Sequence, residues 1–391
     1  MNDIKISPWE VEGKFNNSVY EQVASHFGVQ MITQDILERF ERLTKVKPHR
    51  LLRRGLFFAH RGLNEILDDF EAGKPIFLYT GRGPSGNMHL GHYIPMEFTV
   101  WLQRVLNAFV IIQISDDEKY WFKDKEFNEI YELGKKNSIE IIAFGFDPER
   151  TFIFSNYDFK SFPAFKREVD NMLKVVRIKD ISATFGIKED DILGKALWAV
   201  YQSVSSFSQS FGKLFNNKTR CLVAYAIDQD PYFRLARDYC NTANSKYGNE
   251  TYYKPCGIIS RFLPSLEGEG KMSTTVTNSK PIYMSDSPKE ISDKIIKYAF
   301  SGGQDTKEKH QKLGGNTDID IPFQWLRHFL EDDEELERIR VAYSSGKMLT
   351  MEIKKICANV VTSVILDHQT RCKDVTIDTI NRFYSMDNKL V

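Results

Sequence analysis

Apolar residues change their spacing along this chain, and the changes outline its elements. In the first 74 residues they recur at helical intervals over 19–26 and 33–44. Residues 75–79 (PIFLY) and 109–114 (FVIIQI) are short, uninterrupted, β-rich runs, the pattern of strands buried on both faces. Between them Leu90, Ile94, Phe98, Trp101 and Val105 fall three or four apart, an apolar stripe that would face a sheet. Strand, glycine turn, helix and strand make a βαβ unit, which requires a parallel sheet and a right-handed crossover. Pro95 cannot donate to the carbonyl four residues back. Regular helix is therefore expected to begin near Ile94, with His89 to His92 on the entry turn.

Residues 119–215 read as helix-rich, with a short strand at 151–155. Residues 221–227 read as another buried strand ending in Asp228-Gln229-Asp230, followed by a helix over 231–243. From Lys289 onward strand patterns vanish, and helical ones occupy 289–300, 322–331, 334–344, 350–370 and 376–384. The organisation expected is α/β: an N-terminal extension over 1–74, a parallel-sheet domain over 75–285 with a helical insertion at about 119–215, and an all-helical domain over 286–391. The basic cluster Lys45, Lys47, Arg50, Arg53 and Arg54 reads as a solvated helix face, and the acidic run 331–335 as a partner of a helix-start dipole.

Composition narrows the class. The 391 residues are 42% hydrophobic and 27% charged, ordinary for a globular protein of two or three domains. Lys+Arg and Asp+Glu are equal at 53 each, so a nucleic-acid partner would have to dock on a local patch. Five widely spaced cysteines without any C-x-x-C argue against a disulfide framework or structural zinc and fit a reducing compartment. The first 15 residues interleave acids and lack an apolar core, and no segment approaches the ~18 apolar residues of a membrane helix. A soluble cytoplasmic protein with no membrane partner is expected.

Two segments carry chemistry: residues 79–92 (YTGRGPSGNMHLGH) and 270–275 (GKMSTT). A glycine-rich turn from strand into helix lets backbone amides approach a phosphate, and the helix start favours negative charge. Gly81, Gly83 and Gly86 also spell G-x-G-x-x-G, so a nicotinamide dehydrogenase competes. Pro84 suits a pyrophosphate-hugging loop poorly, and His89 and His92 have no role in dinucleotide binding. Set three apart, these histidines share one side of a helical turn. Without a third His or Cys nearby they make poor metal ligands and good donors to phosphate oxygens. Lys271 lies among Gly268, Gly270 and a hydroxyl run, a loop whose ammonium could close on a phosphoryl group.

The ordered pair HxGH and KMS resembles the HIGH and KMSKS signatures of class I aminoacyl-tRNA synthetases. With residues 113–120 (QISDDEKY), 226–234 (AIDQDPYFR), 299–303 (AFSGG) and 329–333 (FLEDD), the chain from about Pro8 onward resembles the eukaryotic-type tryptophanyl-tRNA synthetases. That resemblance implies a class I Rossmann-type catalytic domain, a helical anticodon-binding domain and a homodimer. It implies activation of L-tryptophan with ATP and Mg2+ to tryptophanyl-adenylate, releasing pyrophosphate, and transfer to tRNA(Trp). By the same resemblance His89, His92 and Lys271 are catalytic. Gly81, Gly83, Met272, Ser273 and Asp228 meet ATP, and Tyr79, Gln113, Glu118, Gln202, Gln229 and Phe233 form the tryptophan pocket. Residues 8–11 belong to a hairpin that covers the ATP site. Lys354, Lys355, Arg371 and Lys373 are candidate contacts to the anticodon arm, against the alternative of ordinary solvated faces. The second lysine of KMSKS is replaced by Thr274, as in the eukaryotic relatives. A tyrosine-charging enzyme and a catalytically silent nucleotide- or tRNA-binding paralogue are the alternatives.

Overall fold

The structure, a computed structural model, describes residues 5–13, 15, 17–84, 86–123, 125–248, 251–268, 270–272, 280–387 and 389. β1 (Lys5–Ile6) and β2 (Val11–Glu12) form a small antiparallel hairpin. The other strands are β3 (Gln30–Met31), β4 (Phe57–Arg61), β5 (Ile76–Arg82), β6 (Phe109–Ile114), β7 (Thr151–Ser155), β8 (Arg220–Ala226) and β9 (Cys256–Ser260). They make one seven-stranded sheet in the order β3-β4-β9-β8-β5-β6-β7. β9, β8, β5, β6 and β7 are parallel, and β4 and β3 continue the sheet antiparallel beside β9. From β5 the chain winds one way to β6 and β7, then returns to β8 and β9 on the other side. The order reverses between β5 and β8, which opens a crevice at their carboxyl ends.

Alternation along the strands assigns side chains to two cores. Ile76 and Leu78 of β5, with Val110, Ile112 and Ile114 of β6, enter the core beneath the helix Leu90–Leu106 and the C-terminal helices. Phe77, Tyr79, Phe109 and Ile111 face the opposite, aromatic-rich core with Phe154, Phe211 and Phe233. Each buried apolar side chain of this size contributes roughly 1.5–3 kcal/mol. The Phe and Trp residues of the sheet-bearing part of the chain are mostly core material.

The helix Leu90–Leu106 starts at Leu90, not near Ile94, and runs through Pro95. Pro95 lies in its second turn, where the loss of one donor is offset by burial of Leu90, Ile94, Phe98 and Leu102. Glycines mark tight crossings elsewhere. A Cβ at Gly257 in β9 would stand 2.5 Å from the Tyr225 ring, so only glycine lets β8 and β9 lie side by side there.

The arginines of the basic cluster form a clasp and not a solvated face, whereas Lys45 and Lys47 are exposed as expected. Arg50, 2% exposed, donates bidentately to Glu97 at 2.7 and 2.8 Å, to the His328 carbonyl at 2.7 Å, and to Glu331. Arg53 and Arg54 both reach Asp333, Arg54 Nε at 2.9 Å. Burial alone would raise the Asp333 carboxyl, but hydrogen bonds from these two arginines outweigh it and hold it at about 2. Within the acidic run only Asp332 caps the helix Asp333–Ser344, accepting from the Glu334 and Glu335 amides. Glu331 and Asp333 are arginine partners instead. Among the C-terminal cations, Lys354 donates to the Ile296 carbonyl at 2.9 Å and Arg371 pairs with Asp367 at 2.8 Å.

Replacing Arg50 by Ala should destabilise the protein by roughly 2–4 kcal/mol in denaturant unfolding, because Glu97 is left without its partner. The Arg50→Met/Glu97→Leu double variant should recover most of that loss. An Arg50→Ala midpoint equal to wild type would restore the reading of a solvated face.

Candidate active site

The site is assembled where β5 and β8 end. β5 and β6 approach so closely that a Cβ at Gly81 would lie 2.8 Å from the Gln113 carbonyl oxygen. One turn later a Cβ at Gly83 would collide with Lys119 Cε at 2.1 Å and with Glu118 Oε2 at 2.7 Å. Gly81 requires glycine because the Gln113 backbone fills the space, whereas at Gly83 a Cβ would have to push aside the ends of the Lys119 and Glu118 side chains. Arg82, missed in the sequence, is buried between them. Its Nε donates to Asn137 at 2.9 Å and its Nη2 to the Gly86 carbonyl at 3.0 Å, which ties the turn down.

His89 is the N-cap of the helix Leu90–Leu106. Its Nδ1 accepts from the Gly91 amide at 3.1 Å, and His92 Nδ1 accepts from the His89 amide at 3.2 Å. Two orphan helix-start donors are thus satisfied by imidazoles where Ser or Asp is usual. With Nδ1 accepting in both rings, each neutral imidazole carries its proton on Nε2 and offers it as a donor. The rings lie 3.7 Å apart. Burial, reinforced by the Arg82 and Lys271 charges, pushes His89 down to about 3 and lowers His92 strongly as well. Two neutral donors at a helix start are suited to a phosphate without any proton exchange.

The lysine loop reaches the same place. The Leu90 amide donates to the Ile282 carbonyl at 3.1 Å, Met284 to Met88 at 2.8 Å, and Met272 to Leu263 at 2.9 Å. Met272 is buried, and its carbonyl oxygen would lie 3.8 Å from a Cβ at Gly91. Lys271 Nζ donates to Asp228 Oδ2 at 2.5 Å, just beyond the end of β8. Asp228 is buried while Lys271 is about one third exposed. Ser273 and Thr274 lie outside the described residues. The β1–β2 hairpin touches this loop: the Val11 carbonyl would be 3.9 Å from a Cβ at Gly270. Trp9 is anchored by its Nε1 to the Phe185 carbonyl at 2.8 Å.

A second group lies toward the aromatic core. Tyr79 donates its hydroxyl to Gln113 Oε1, and Gln113 Nε2 donates to Asn156 Oδ1 at 2.6 Å. Phe233 stands edge-on to Tyr79 at 6.2 Å. Gln202 Nε2 reaches Gln229 Oε1 at 3.4 Å. Glu118 accepts from Ser115 Oγ and from Lys119 Nζ, each at 2.8 Å. Arg61 of β4 holds the following turn by a bidentate bond to buried Asp230, 2.7 Å on both arms. Neither Arg61 nor Asn156 was marked by the sequence, since each acts through a residue far away in the chain. Among the described residues no three His, Cys, Asp or Glu side chains gather as a metal site. No helix is long and apolar enough to cross a membrane, again among the described residues.

A glycine turn, paired helix-start imidazoles and a lysine loop converging at a sheet switch point define a nucleotide-activating site on a class I fold. The chain belongs to the class I tRNA synthetases of the tryptophan and tyrosine group, whose family model, "tRNA synthetases class I (W and Y)", matches residues 71–189 and 209–385. Within that group its relatives include tryptophan enzymes. The cytoplasmic tryptophan–tRNA ligase of Mus musculus is 44% identical over 97% of this chain and 78% of its own length. That of Arabidopsis thaliana is 43% identical over 97% and 94%. The solved tryptophanyl-tRNA synthetase of Giardia lamblia superposes with a TM-score of 0.89 at 36% identity, covering 95% of this chain and 97% of that one. The Plasmodium falciparum enzyme gives 0.86 at 39%, covering 94% and 95%.

In the unliganded protein, the His89 and His92 ring resonances should stay flat between about pH 5 and 8, with protonated Nε2 and bare Nδ1 in nitrogen-resolved NMR. A histidine whose pKa drops on folding contributes stability that is complete above the unfolded value near 6.5 and is lost as pH falls toward the folded value. A ring titrating near 6.5 in the folded protein would contradict this geometry.

Proposed function

We infer that this chain acts as a tryptophan–tRNA ligase: L-tryptophan and ATP give tryptophanyl-adenylate and pyrophosphate, and the tryptophanyl group passes to tRNA(Trp). The observation that carries this reading is the convergence of His89, His92 and Lys271 on one crevice, with Tyr79 and Gln113 beside it. The tryptophan-enzyme relatives support tryptophan over tyrosine. An intact set of these groups also weighs against a silent paralogue.

The carboxylate of tryptophan is already a nucleophile, so activation needs no side-chain base. Its oxygen attacks the α-phosphorus, and pyrophosphate leaves in line. Alignment and charge stabilisation are what the protein supplies. His89 and His92 donate Nε2–H to phosphate oxygens without titrating. Lys271 exchanges Asp228 for the phosphates, so the resting ion pair keeps the loop poised and the triphosphate must compete for the ammonium. Gly81 and Gly83 let the backbone close on substrate and nucleotide. Met272 anchors the loop in the core, and Ser273 follows as a further contact. Asp228, once released, faces the ribose or the substrate ammonium. Magnesium would arrive on the ATP phosphates as part of the substrate.

Tyr79 and Gln113 take the indole N–H, and Glu118, Gln202, Gln229 and Phe233 complete the pocket. A buried acceptor left unpaired by phenylalanine costs roughly 1–3 kcal/mol, and smaller side chains also lose contact area. The hairpin around residues 8–11 covers the nucleotide, consistent with Val11 lying against Gly270. The segment 286–391 is the candidate anticodon-binding domain, and 75–285 the catalytic one with its helical insertion. A homodimer is supported by the exposed apolar side chains Leu173, Ile178, Ile192 and Leu193 on the insertion helices, Ile178 and Leu193 being 85% and 82% exposed. The cytoplasmic relatives support a cytoplasmic location.

ATP–pyrophosphate exchange across all amino acids tests the function: tryptophan alone should support it, and exchange driven by tyrosine, or none, would overturn the reading. Lys271→Ala should lower kcat/KM for ATP by about 10²-fold or more. Gln113→Ala should raise the KM for tryptophan and leave that for ATP nearly unchanged; equal losses for both would contradict the pocket. Sedimentation should give a dimer that Ile178→Lys with Leu193→Lys dissociates.

A further inference from the structure

Tyr79, Gln113, Asn156 and Asp117 are 3%, 1%, 1% and 2% exposed, and they form one continuous chain of hydrogen bonds. Three adjacent strands supply it: Tyr79 stands in β5, Gln113 near the end of β6, and Asn156 directly after β7. Tyr79 donates to Gln113 Oε1, Gln113 Nε2 to Asn156 Oδ1, and Asn156 Nδ2 to Asp117 Oδ1 at 2.9 Å. Asp117 Oδ1 also accepts from the Glu118 amide at 2.8 Å. Every donor points the same way, toward a group that can only accept.

That direction decides what the pocket offers. A carboxylate accepts and cannot donate, so Asn156 must turn its NH2 toward Asp117 and its oxygen toward Gln113. Gln113 must then turn its NH2 toward Asn156 and its oxygen toward Tyr79. Tyr79 gives up its proton to Gln113, and burial keeps the phenol protonated. At this end of the chain Gln113 Oε1 and Tyr79 Oη keep lone pairs for a ligand, with Tyr79 Oη also taking a hydrogen bond from Ser205. We infer that Asp117 is a specificity-determining positioning residue: acting through Asn156, its carboxylate fixes the polarity of the chain so that the pocket presents acceptors and selects a ring bearing an N–H donor. This rests on the proposed placing of the indole beside Tyr79 and Gln113.

Asp117 suits the part. Burial pushes its carboxyl up to about 6, opposed by the Asn156 hydrogen bond and added to by Asp116, so it is ionised at neutral pH. Its second oxygen, Oδ2, is buried without a hydrogen-bond partner among the described residues. Adjacent Asp116 is used differently: it accepts from the Asp117 and Tyr157 amides and from Ser155 Oγ, which ties the two helix starts together. Aligned donors in a low-dielectric core also polarise one another, which strengthens the terminal acceptors.

The test is discrimination between tryptophan and 3-benzothienylalanine, in which sulfur replaces the ring N–H, by kcat/KM in ATP–pyrophosphate exchange. Wild type should favour tryptophan by about 10²-fold or more. Asp117→Ala should reduce that ratio about tenfold or more, because the freed amides can reverse and offer N–H to the ligand. Asn156→Ala cuts the chain one link nearer, should do the same, and serves if Asp117→Ala does not fold. Asp117→Asn keeps an oxygen for both N–H donors and should hold the ratio within about threefold. The KM for ATP should be unaltered in all three. Folded alanine variants with an unchanged ratio, or Asp117→Asn losing as much as they do, would overturn the inference. Wild type that shows no tryptophan-dependent exchange, or that fails to discriminate, would instead defeat the underlying pocket assignment.

Discussion

Close backbone approach at Gly81 is the constraint on which the site depends. Gly81 lets β5 lie against the Gln113 carbonyl; beyond it Gly83 leaves room for the Glu118 and Lys119 side chains, and Gly91 admits the His89 ring. Any side chain at Gly81 would have to displace backbone and not a flexible tip, so the parallel register from Phe77 to Arg82 would give way with it. That register sets Tyr79 and Gln113 together, and the turn that follows sets the two imidazoles. The chemistry is thus inherited from how tightly two strands can be pressed together at their carboxyl ends.

Charge is handled differently at the site and at its supports. Away from the crevice, arginines are paired to satisfaction: Arg50 with Glu97 and Glu331, Arg61 with Asp230, Arg220 with Asp69 and Glu65. These pairs bind distant segments and leave little charge unbalanced. In the crevice Lys271 is about one third exposed, paired with Asp228 and set over the Phe262 ring, and the histidines beside it are kept neutral. In the proposed mode of binding a triphosphate would meet the exchangeable Lys271 ammonium and two fixed neutral donors. Stronger fixed positive charge would bind ground state and transition state alike, with less gain in rate.

Much of this architecture could be read from residues in order. The βαβ unit was legible because its strands are uninterrupted apolar runs and its helix carries one clean stripe, and the helical C-terminal third because its periodicity is equally plain. What was not legible depended on partners far away. β4 is hidden behind a basic cluster, and β9 carries Gly257, which makes sense only once the Tyr225 ring is seen against it. Arg50 looks like a surface cation until Glu97 and Glu331 are placed beside it, 47 and 281 residues away. Pro95 misled because local rules weigh a lost donor and cannot weigh the core that the second helical turn buries. At the site, the signature residues could be named, but their tautomers, and the part of Asn156, Asp117 and Arg82, exist only in three dimensions.

Two hydrogen-bond systems of opposite character meet in this crevice. On the proposed nucleotide side the protein ends in donors: His89 and His92 Nε2–H, and the Lys271 ammonium. On the amino-acid side it ends in acceptors, the lone pairs left over by the Tyr79–Gln113–Asn156–Asp117 chain. Each polarity is enforced from behind, by backbone amides that occupy the histidine Nδ1 atoms and by a carboxylate that absorbs the amide donors. A substrate pair consisting of an anion and a ring N–H donor fits both ends at once, and exchanging either for its electrostatic opposite leaves buried groups unpaired. Selectivity is then a property of fixed direction in the protein, which needs neither a moving base nor a second site to correct its errors.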